Sequence, residues 1–156
     1  MVGKYWYHKS AIIDKGAVIG EGTKIWHFSH VCKGARIGKN CVLGQNVYVA
    51  PTAIIGDNVH IQNNVSVYDG VFIADSVFIA PSVVFTNIKK PDPLKPNKDY
   101  QRTIICKGAA IGANSTIVCG VTIGGGAFIG AGSVVTKDIG ENEIWYGNPA
   151  KIEEIR

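Results

Sequence analysis

The stretch ARIGKNCVLGQNVYVAPTAIIG, residues 35–56, repeats one pattern every six residues. Within it Ile37, Leu43, Val49 and Ile55 are aliphatic, and the residue two places before each of them is small or β-branched. Glycine follows three of these four aliphatic residues. Short strands joined by sharp corners produce such a pattern, because glycine accepts the positive φ that a tight corner often requires. The stretch therefore predicts a solenoid of very short β-strands, three strands and three corners to a coil.

The same pattern covers nearly the whole chain. Stepping by six from Ile13 to Phe85 meets only aliphatic or aromatic residues, and residue 91 should be next. The pattern instead resumes at Ile105, 14 residues later, and continues to Val135. At a layer spacing of about 4.8 Å, the repeat predicts about six coils in a prism about 30 Å tall. The predicted fold class is all-β, a parallel β-helix.

Residues 88–102 interrupt the repeat. Their prolines and many charges cannot continue a parallel ladder, so we expect an excursion loop. A loop of this length in a compact domain is usually functional. The chain is expected to form a single domain over residues 1–156, with the loop at about 88–102 and a short C-terminal cap at about 138–156.

Composition narrows the function classes. The 156 residues carry a formal net charge of +4, but the basic residues form no patch interleaved with aromatics, which disfavours nucleic acid as a partner. No apolar run approaches the roughly 20 residues of a membrane span, and the four cysteines form no CxxC pair. We expect a cytoplasmic protein with reduced thiols and no membrane association.

One edge of the predicted prism is polar. Residues 18 apart stack on successive coils, which brings His27, Gln45 and Asn63 into one column. Asn46 and Asn64 stack in the next column, where a ladder of amides that only satisfies the corner is as good an interpretation as a binding site. For the first column a ligand site is favoured, because its three long polar side chains differ in chemistry. The outward positions include apolar side chains that a subunit interface would cover: Val42, Ile54, Phe72, Phe78 and Val84.

The chain resembles the hexapeptide-repeat acyltransferases. The signature of that family, an aliphatic residue and glycine followed by four others, is present as IGEGTK, IGKNCV, IGDNVH, IGANST and IGAGSV. The segments IWHFSHV, IQNNVSVYDGV and FTN are similar to those of enzymes that acetylate the 3-amino group of nucleotide-linked sugars. The resemblance implies a left-handed coil, acetyl-CoA as co-substrate, no metal, and a homotrimer with active sites between subunits. The substrate that the resemblance implies is UDP-2-acetamido-3-amino-2,3-dideoxyglucuronate, an intermediate in the synthesis of bacterial surface polysaccharide.

The resemblance also implies roles for individual residues. Asn87 of the FTN segment would lie near the reacting amine, and relatives suggest that orientation of the amine and thioester can suffice without a base. From imidazole chemistry alone, His27 or His30 is a candidate general base. Residues expected to contact the sugar nucleotide are Gln45, Asn63, Asn64 and Tyr68. Residues expected to hold coenzyme A are Asn114, Lys137 and Lys151, although either lysine would equally suit an ordinary solvated surface.

Two alternatives within the same fold remain open, and two other classes are disfavoured. The acceptor could be a dTDP-3-amino-3,6-dideoxyhexose, or the enzyme could be an O-acetyltransferase of the same fold. A zinc carbonic anhydrase needs three converging histidines, and His27, His30 and His60 share no column. A non-catalytic β-helix scaffold would be expected to lack both the excursion and the mixed polar corner.

Overall fold

A computed structural model describes residues 4–94 and 99–155. Its secondary structure consists of short strands. In chain order they are β1 (Trp6–Tyr7), β2 (Ile12–Ile13), β3 (Val18–Ile19), β4 (Lys24–Ile25), β5 (His30–Val31), β6 (Arg36–Ile37), β7 (Val42–Leu43), β8 (Tyr48–Val49), β9 (Ile54–Ile55), β10 (His60–Ile61), β11 (Ser66–Val67), β12 (Val71–Ile73), β13 (Phe78–Ile79), β14 (Val84–Phe85), β15 (Thr103–Ile105), β16 (Ala110–Ile111), β17 (Thr116–Ile117), β18 (Thr122–Ile123), β19 (Phe128–Ile129), β20 (Val134–Val135), β21 (Glu143–Gly147) and β22 (Ala150–Ile155).

The strands stack in three parallel sheets, as the repeat predicts. Sheet A contains β1, β4, β7, β10, β13, β16, β19, β21 and β22; sheet B contains β2, β5, β8, β11, β14, β17 and β20; sheet C contains β3, β6, β9, β12, β15 and β18. Among the described strands, β22 alone runs antiparallel, in a hairpin with β21. The predicted count of about six coils is too low, because β1 and β21 add layers beyond the hexads and give sheet A eight parallel strands.

The core is a column of aliphatic side chains inside the prism. The second residue of each central strand points inward, and Ile25, Leu43, Ile61 and Ile79 of sheet A are all 0% exposed. The small or β-branched residue two places earlier is buried as well, as at Ala53. Both predicted inward positions are therefore confirmed. All four cysteines are free thiols.

The corner glycines have a different cause from the predicted one. Gly38, like Gly20, Gly44 and Gly56, has no positive φ; the positive φ falls two residues later, for example at Asn40 (φ 54°). A Cβ on Gly38 would lie 2.5 Å from the carbonyl carbon of Gly56 on the next coil. These positions are glycine because successive coils approach too closely for a side chain.

The excursion leaves from the corner between sheets B and C and returns to β15, which pairs with β12 as the next layer. The predicted outward apolar residues do not form one patch. Val42 and Phe78 lie on sheet A, Ile54 and Phe72 on sheet C, and Val84 on sheet B. The described residues also contain no helix long and apolar enough to cross a membrane.

Candidate functional site

The corners between sheets A and B form the edge that we call the AB edge, and the predicted polar columns lie on it. The backbone N–H of Gln45 donates to Oδ1 of Asn63 at 2.8 Å, and Nδ2 of Asn46 donates to Oδ1 of Asn64 at 3.1 Å. Asn46 and Asn64 both have positive φ, at 55° and 61°. The predicted stacking of residues 18 apart is therefore confirmed for these columns.

Part of this polar edge serves the coil itself. At the corners between sheets C and A, Asp57 and Asp75 use a carboxylate oxygen to accept the N–H of the preceding coil, as Asn63 does on the AB edge. The side-chain oxygen Oδ1 of Asn63 thus has a structural role. Gln45 has no counterpart in this pattern and its side chain is exposed, so it is free of that constraint.

His27 is held in a stack of rings. Its imidazole lies on that of His8, with ring centroids 3.5 Å apart, and its Nδ1 is buried without a hydrogen-bond partner among the described residues. Desolvation, followed by the neighbouring His27, lowers the pKa of His8. β1 extends sheet A by one layer, and its register with β4 places His8 in the column of Trp26, next to that of His27.

His30 lies on the outer face of sheet B within a polar group. Its Nε2 is 3.1 Å from Oδ1 of Asp14 and 3.9 Å from Sγ of Cys32, and its ring meets that of Tyr48 on the next layer. The N–H of Lys33, donating to the carboxylate, and then the His30 ring lower the pKa of Asp14. The hydrogen bond to Cys32, with desolvation, raises the pKa of Tyr48 to about 12. Asp14 is therefore a carboxylate at neutral pH and Tyr48 a neutral phenol.

The same group includes the ligand types of a metal site. One atom each of Asp14, His30 and Cys32 lie within 4.8 Å of one another. Hydrogen bonds from Lys33 and His30 already engage both oxygens of the Asp14 carboxylate. The arrangement is thus accounted for by hydrogen bonding within the group.

A second feature of sheet B is a cleft of about 110 Å³ that crosses the sheet from the AB edge to the opposite edge. Asn64, Ser66, Tyr68 and Val84 line it, so it joins two of the predicted substrate residues. Asn87 lies just past β14, on the edge that carries Tyr68 and one layer beyond it.

The excursion is closed at the position of Asn87. The carbonyl of Asn87 accepts the N–H of Gln101 at 2.9 Å, which ties the two ends of the loop together. A Cβ on Gly120 would lie 3.5 Å from both Nζ of Lys89 and Oε1 of Gln101, so these two side chains cover the next layer. The loop therefore places a lysine and an amide beside Asn87.

The histidines do not share the layer of Asn87. Register pairs His30 with Tyr48, Tyr48 with Ser66, and Ser66 with Val84. Three layers of about 4.8 Å separate His30 from Val84 by about 14 Å. His27 is a further three residues away on the AB edge. The structure places Asn64 and Tyr68 on one cleft and Asn87 one layer beyond Tyr68, and it leaves His27 and His30 about three layers from Asn87.

The predicted coenzyme A residues lie in three places. Asn114 is on the AB edge with positive φ, Lys137 is exposed at the last corner between sheets B and C, and Lys151 is exposed on β22. Their role stays a prediction. Sequence reasoning missed Asp14 and Tyr48, although Tyr48 lies 18 residues after His30 and so belongs to its column.

Comparisons with known proteins agree with this architecture. The family model described as bacterial transferase hexapeptide, six repeats, matches residues 16–51 and 102–137, and a hexapeptide repeat of succinyl-transferase matches residues 34–69. A dTDP-3-amino-3,6-dideoxy-alpha-D-galactopyranose 3-N-acetyltransferase from Aneurinibacillus thermoaerophilus is 57% identical over 56 residues, which are 36% of this chain and 29% of that protein. The chain thus aligns with less than a third of that curated relative.

Two solved structures extend the comparison. A hexapeptide-repeat acetyltransferase from Vibrio cholerae O1 biovar eltor, complexed with acetyl coenzyme A, is 31% identical with a TM-score of 0.60, covering 72% of this chain and 69% of that one. A maltose O-acetyltransferase from Clostridium difficile 630 is 28% identical with a TM-score of 0.59, covering 73% and 69%. With the family model matching the repeat on both sides of the excursion, the chain belongs to the hexapeptide-repeat acyltransferase family.

Proposed function

We propose that the protein is an acetyl-CoA-dependent N-acetyltransferase that acts on the 3-amino group of a nucleotide-linked sugar. The observation that carries the proposal is the cleft on sheet B, which Asn64 and Tyr68 line at its two ends, with Asn87 one layer beyond Tyr68 on the same edge. Amide and hydroxyl groups of this kind orient a sugar without reacting with it. The acetyl-CoA bound by the Vibrio relative supports the donor, and the 56-residue match supports an amino-sugar acceptor.

The reaction needs little covalent chemistry from the protein. The uncharged amine attacks the thioester carbonyl, a C–N bond forms, the C–S bond breaks, and the amine proton ends on the departing thiolate. The side-chain oxygen of Asn87 is suited to accept a hydrogen bond from the amine and aim its lone pair at the carbonyl. Holding two reactants in contact in this way can supply much of the rate enhancement.

A histidine base at this position is disfavoured by distance. A general base must come within about 3 Å of the proton that it removes, or act through one water. The register places His30 about three layers, or about 14 Å, from the layer of Asn87. We therefore assign the Asp14, His30 and Tyr48 group to binding the acceptor rather than to proton transfer.

The acceptor that we favour is the UDP-linked 3-amino uronate. The carboxylate of this sugar would need a cation near the reacting amine. Lys89 stands beside the next layer of the same edge and can provide it. A dTDP-linked 3-amino-3,6-dideoxyhexose is the second candidate, favoured by the match to the Aneurinibacillus enzyme. The product in either case would serve the synthesis of bacterial surface polysaccharide.

Cleft size argues for an assembly. Three clefts on the described residues have volumes of about 110, 240 and 280 Å³, and each of these is smaller than the roughly 300–1,000 Å³ of sites that enclose a ligand. The apolar residues left exposed on more than one face, such as Val84 and Phe78, also need cover. A homotrimer meets both needs, since a ring of identical subunits joins two different faces at each contact.

The experiment is release of free thiol from acetyl-CoA with a panel of UDP- and dTDP-linked 3-amino sugars, with maltose and serine testing O-acetylation. We expect turnover with at least one nucleotide-linked amino sugar and a large loss of kcat in Asn87→Ala. Asn58→Ala is the matched control, since Asn58 is an exposed asparagine at a corner between sheets C and A. Lys89→Ala should lower kcat/KM for the uronate only. Background rates with every amino sugar would overturn the proposal.

A further inference from the structure

A cleft on sheet A belongs to none of the groups described above. Trp6 of β1 pairs in register with Lys24 of β4, and Trp26 follows β4 at the start of the AB edge. These three residues line a cleft of about 280 Å³. The two indoles meet edge to face with centroids 5.2 Å apart, yet remain 45% and 40% exposed. Two large rings therefore stand open to solvent beside an ammonium group.

The neighbouring residue Phe28 is unusual in its backbone. Among the described residues, nine that are not glycine have positive φ; six are asparagine, two are serine, and the other is Phe28 at 58°. Its ring is also 68% exposed. A bulky residue in the left-handed region costs about 1 kcal/mol or more, and exposing its ring gains nothing for the isolated chain. The exposed aromatic residues at this end of the AB edge are therefore suited to contact a ligand or another molecule.

We propose that this cleft binds the base and diphosphate of the acceptor, with Trp6 and Trp26 stacking on the base and Lys24 pairing with a phosphate. The identity of the ligand rests on the proposed function. Aromatic faces stack on any base, and an ammonium binds phosphate as a point charge. A purely apolar partner would leave Lys24 without a counter-charge, which favours a planar anionic ligand.

The position of the cleft fits an extended ligand. Trp26 precedes His27, and the AB edge then continues through Gln45 to Asn64 at the sheet B cleft. Two layers, about 10 Å, separate Trp26 from Asn64. A base held at Trp26 would leave the sugar to extend along this edge to Asn64, where the sheet B cleft begins and crosses toward the edge that carries Asn87.

Tryptophan fluorescence tests the proposal without any acetyl transfer. The chain has three tryptophans, and Trp145 lies away from the cleft, half-buried and hydrogen-bonded to Glu143. Titrated with UDP or dTDP, the wild type and Trp145→Phe should both be quenched, while the double variant Trp6→Phe, Trp26→Phe should not. Trp26→Ala should weaken Kd about 5- to 140-fold, the equivalent of about 1–3 kcal/mol per stacked base.

Matched variants identify the ligand class. Lys24→Ala should weaken the binding of UDP more than that of uridine. Lys39 is an exposed lysine at a corner between sheets C and A, so Lys39→Ala should change the affinity for neither ligand. Quenching by coenzyme A but not by UDP or dTDP would overturn the proposal. So would a Trp26→Ala variant that changes the oligomeric mass and keeps the nucleotide affinity. Pyrimidine-dependent quenching without any acetyl transfer would instead support this site and count against the proposed reaction.

Discussion

Replacing His30 by alanine should lower kcat for acetyl transfer by less than about tenfold. The expectation comes from the strand register. Three strand steps of about 4.8 Å place His30 about 14 Å from Val84, which lies in the same layer as Asn87. A positioned general base contributes about 10²–10⁴ in rate, or about 2.7–5.4 kcal/mol of barrier. A side chain 14 Å away cannot contribute that amount by direct proton transfer.

A neighbouring subunit does not easily change this expectation. In a trimer whose three-fold axis runs along the prisms, rotation leaves the height of every layer unchanged, so the partner's layers stay level with those of this chain. The His30 layer of a neighbour would then be as far from Asn87 along the axis as that of the chain itself. His30→Ala is expected to raise KM for the sugar nucleotide, because its ring and Asp14 belong to the polar face of sheet B.

The assay is thiol release with saturating acetyl-CoA across a series of pH values. His60→Ala serves as a control, since His60 is exposed on sheet A, and Asp14→Asn should shift KM in the same direction as His30→Ala. A loss of 100-fold or more in kcat for His30→Ala, together with disappearance of the acidic limb of the pH profile, would refute the reasoning. The reacting amine would then lie near His30 and not near Asn87.

Two further predictions concern the fold. Gly38→Ala should destabilise the protein by about 1–3 kcal/mol in urea unfolding, because its Cβ would meet the Gly56 backbone at 2.5 Å. Gly132→Ala should cost only about 1 kcal/mol, because Gly132 has a φ of 70° but a Cβ there would meet nothing within 4 Å. Equal losses of stability in the two variants would contradict the close-approach argument. The pKa of Tyr48 is raised to about 12, so its neutral phenol should stabilise the folded state fully below pH 10, the usual pKa of tyrosine being about 10. This stabilisation should be lost as the pH rises through 12. A phenolate absorbance component near pH 10 that disappears in Tyr48→Phe would contradict the prediction.

The regular part of the fold could be predicted because one hexad constrains two inward positions at once. Ile61 and Val59 are both fully buried, as the pattern requires. The ends were missed for the same reason. The terminal strand β1 carries Tyr7 where the hexad expects an aliphatic residue, so the aliphatic pattern begins only at Ile13. The reason for glycine at Gly38 was also missed, because sequence spacing does not reveal how closely two coils approach.

The candidate site shows a different limit of sequence reasoning. Stacking at intervals of 18 correctly grouped Gln45 with Asn63, since layers are equivalent along one edge. The same interval also places Val84 three layers from His30, so this separation could be counted from the sequence, but the resemblance grouped the two regions by motif and not by layer. His30 and Asn87 both lie in motifs of the resembled enzymes, yet the register sets them about 14 Å apart.

The same geometry explains why the acceptor should lie along the prism axis. Each layer of this fold offers only a few outward side chains on a given face, and the next layer follows after about 4.8 Å. A nucleotide-linked sugar is longer than one layer, so no single corner can contact all of it. On the AB edge the chemistry changes with height, from the indole of Trp26 through the amide of Gln45 to Asn64. A nucleotide held by Trp26 and Lys24, with its sugar reaching past Gln45 toward Asn64, matches that order, and the excursion closes one layer beyond Asn64.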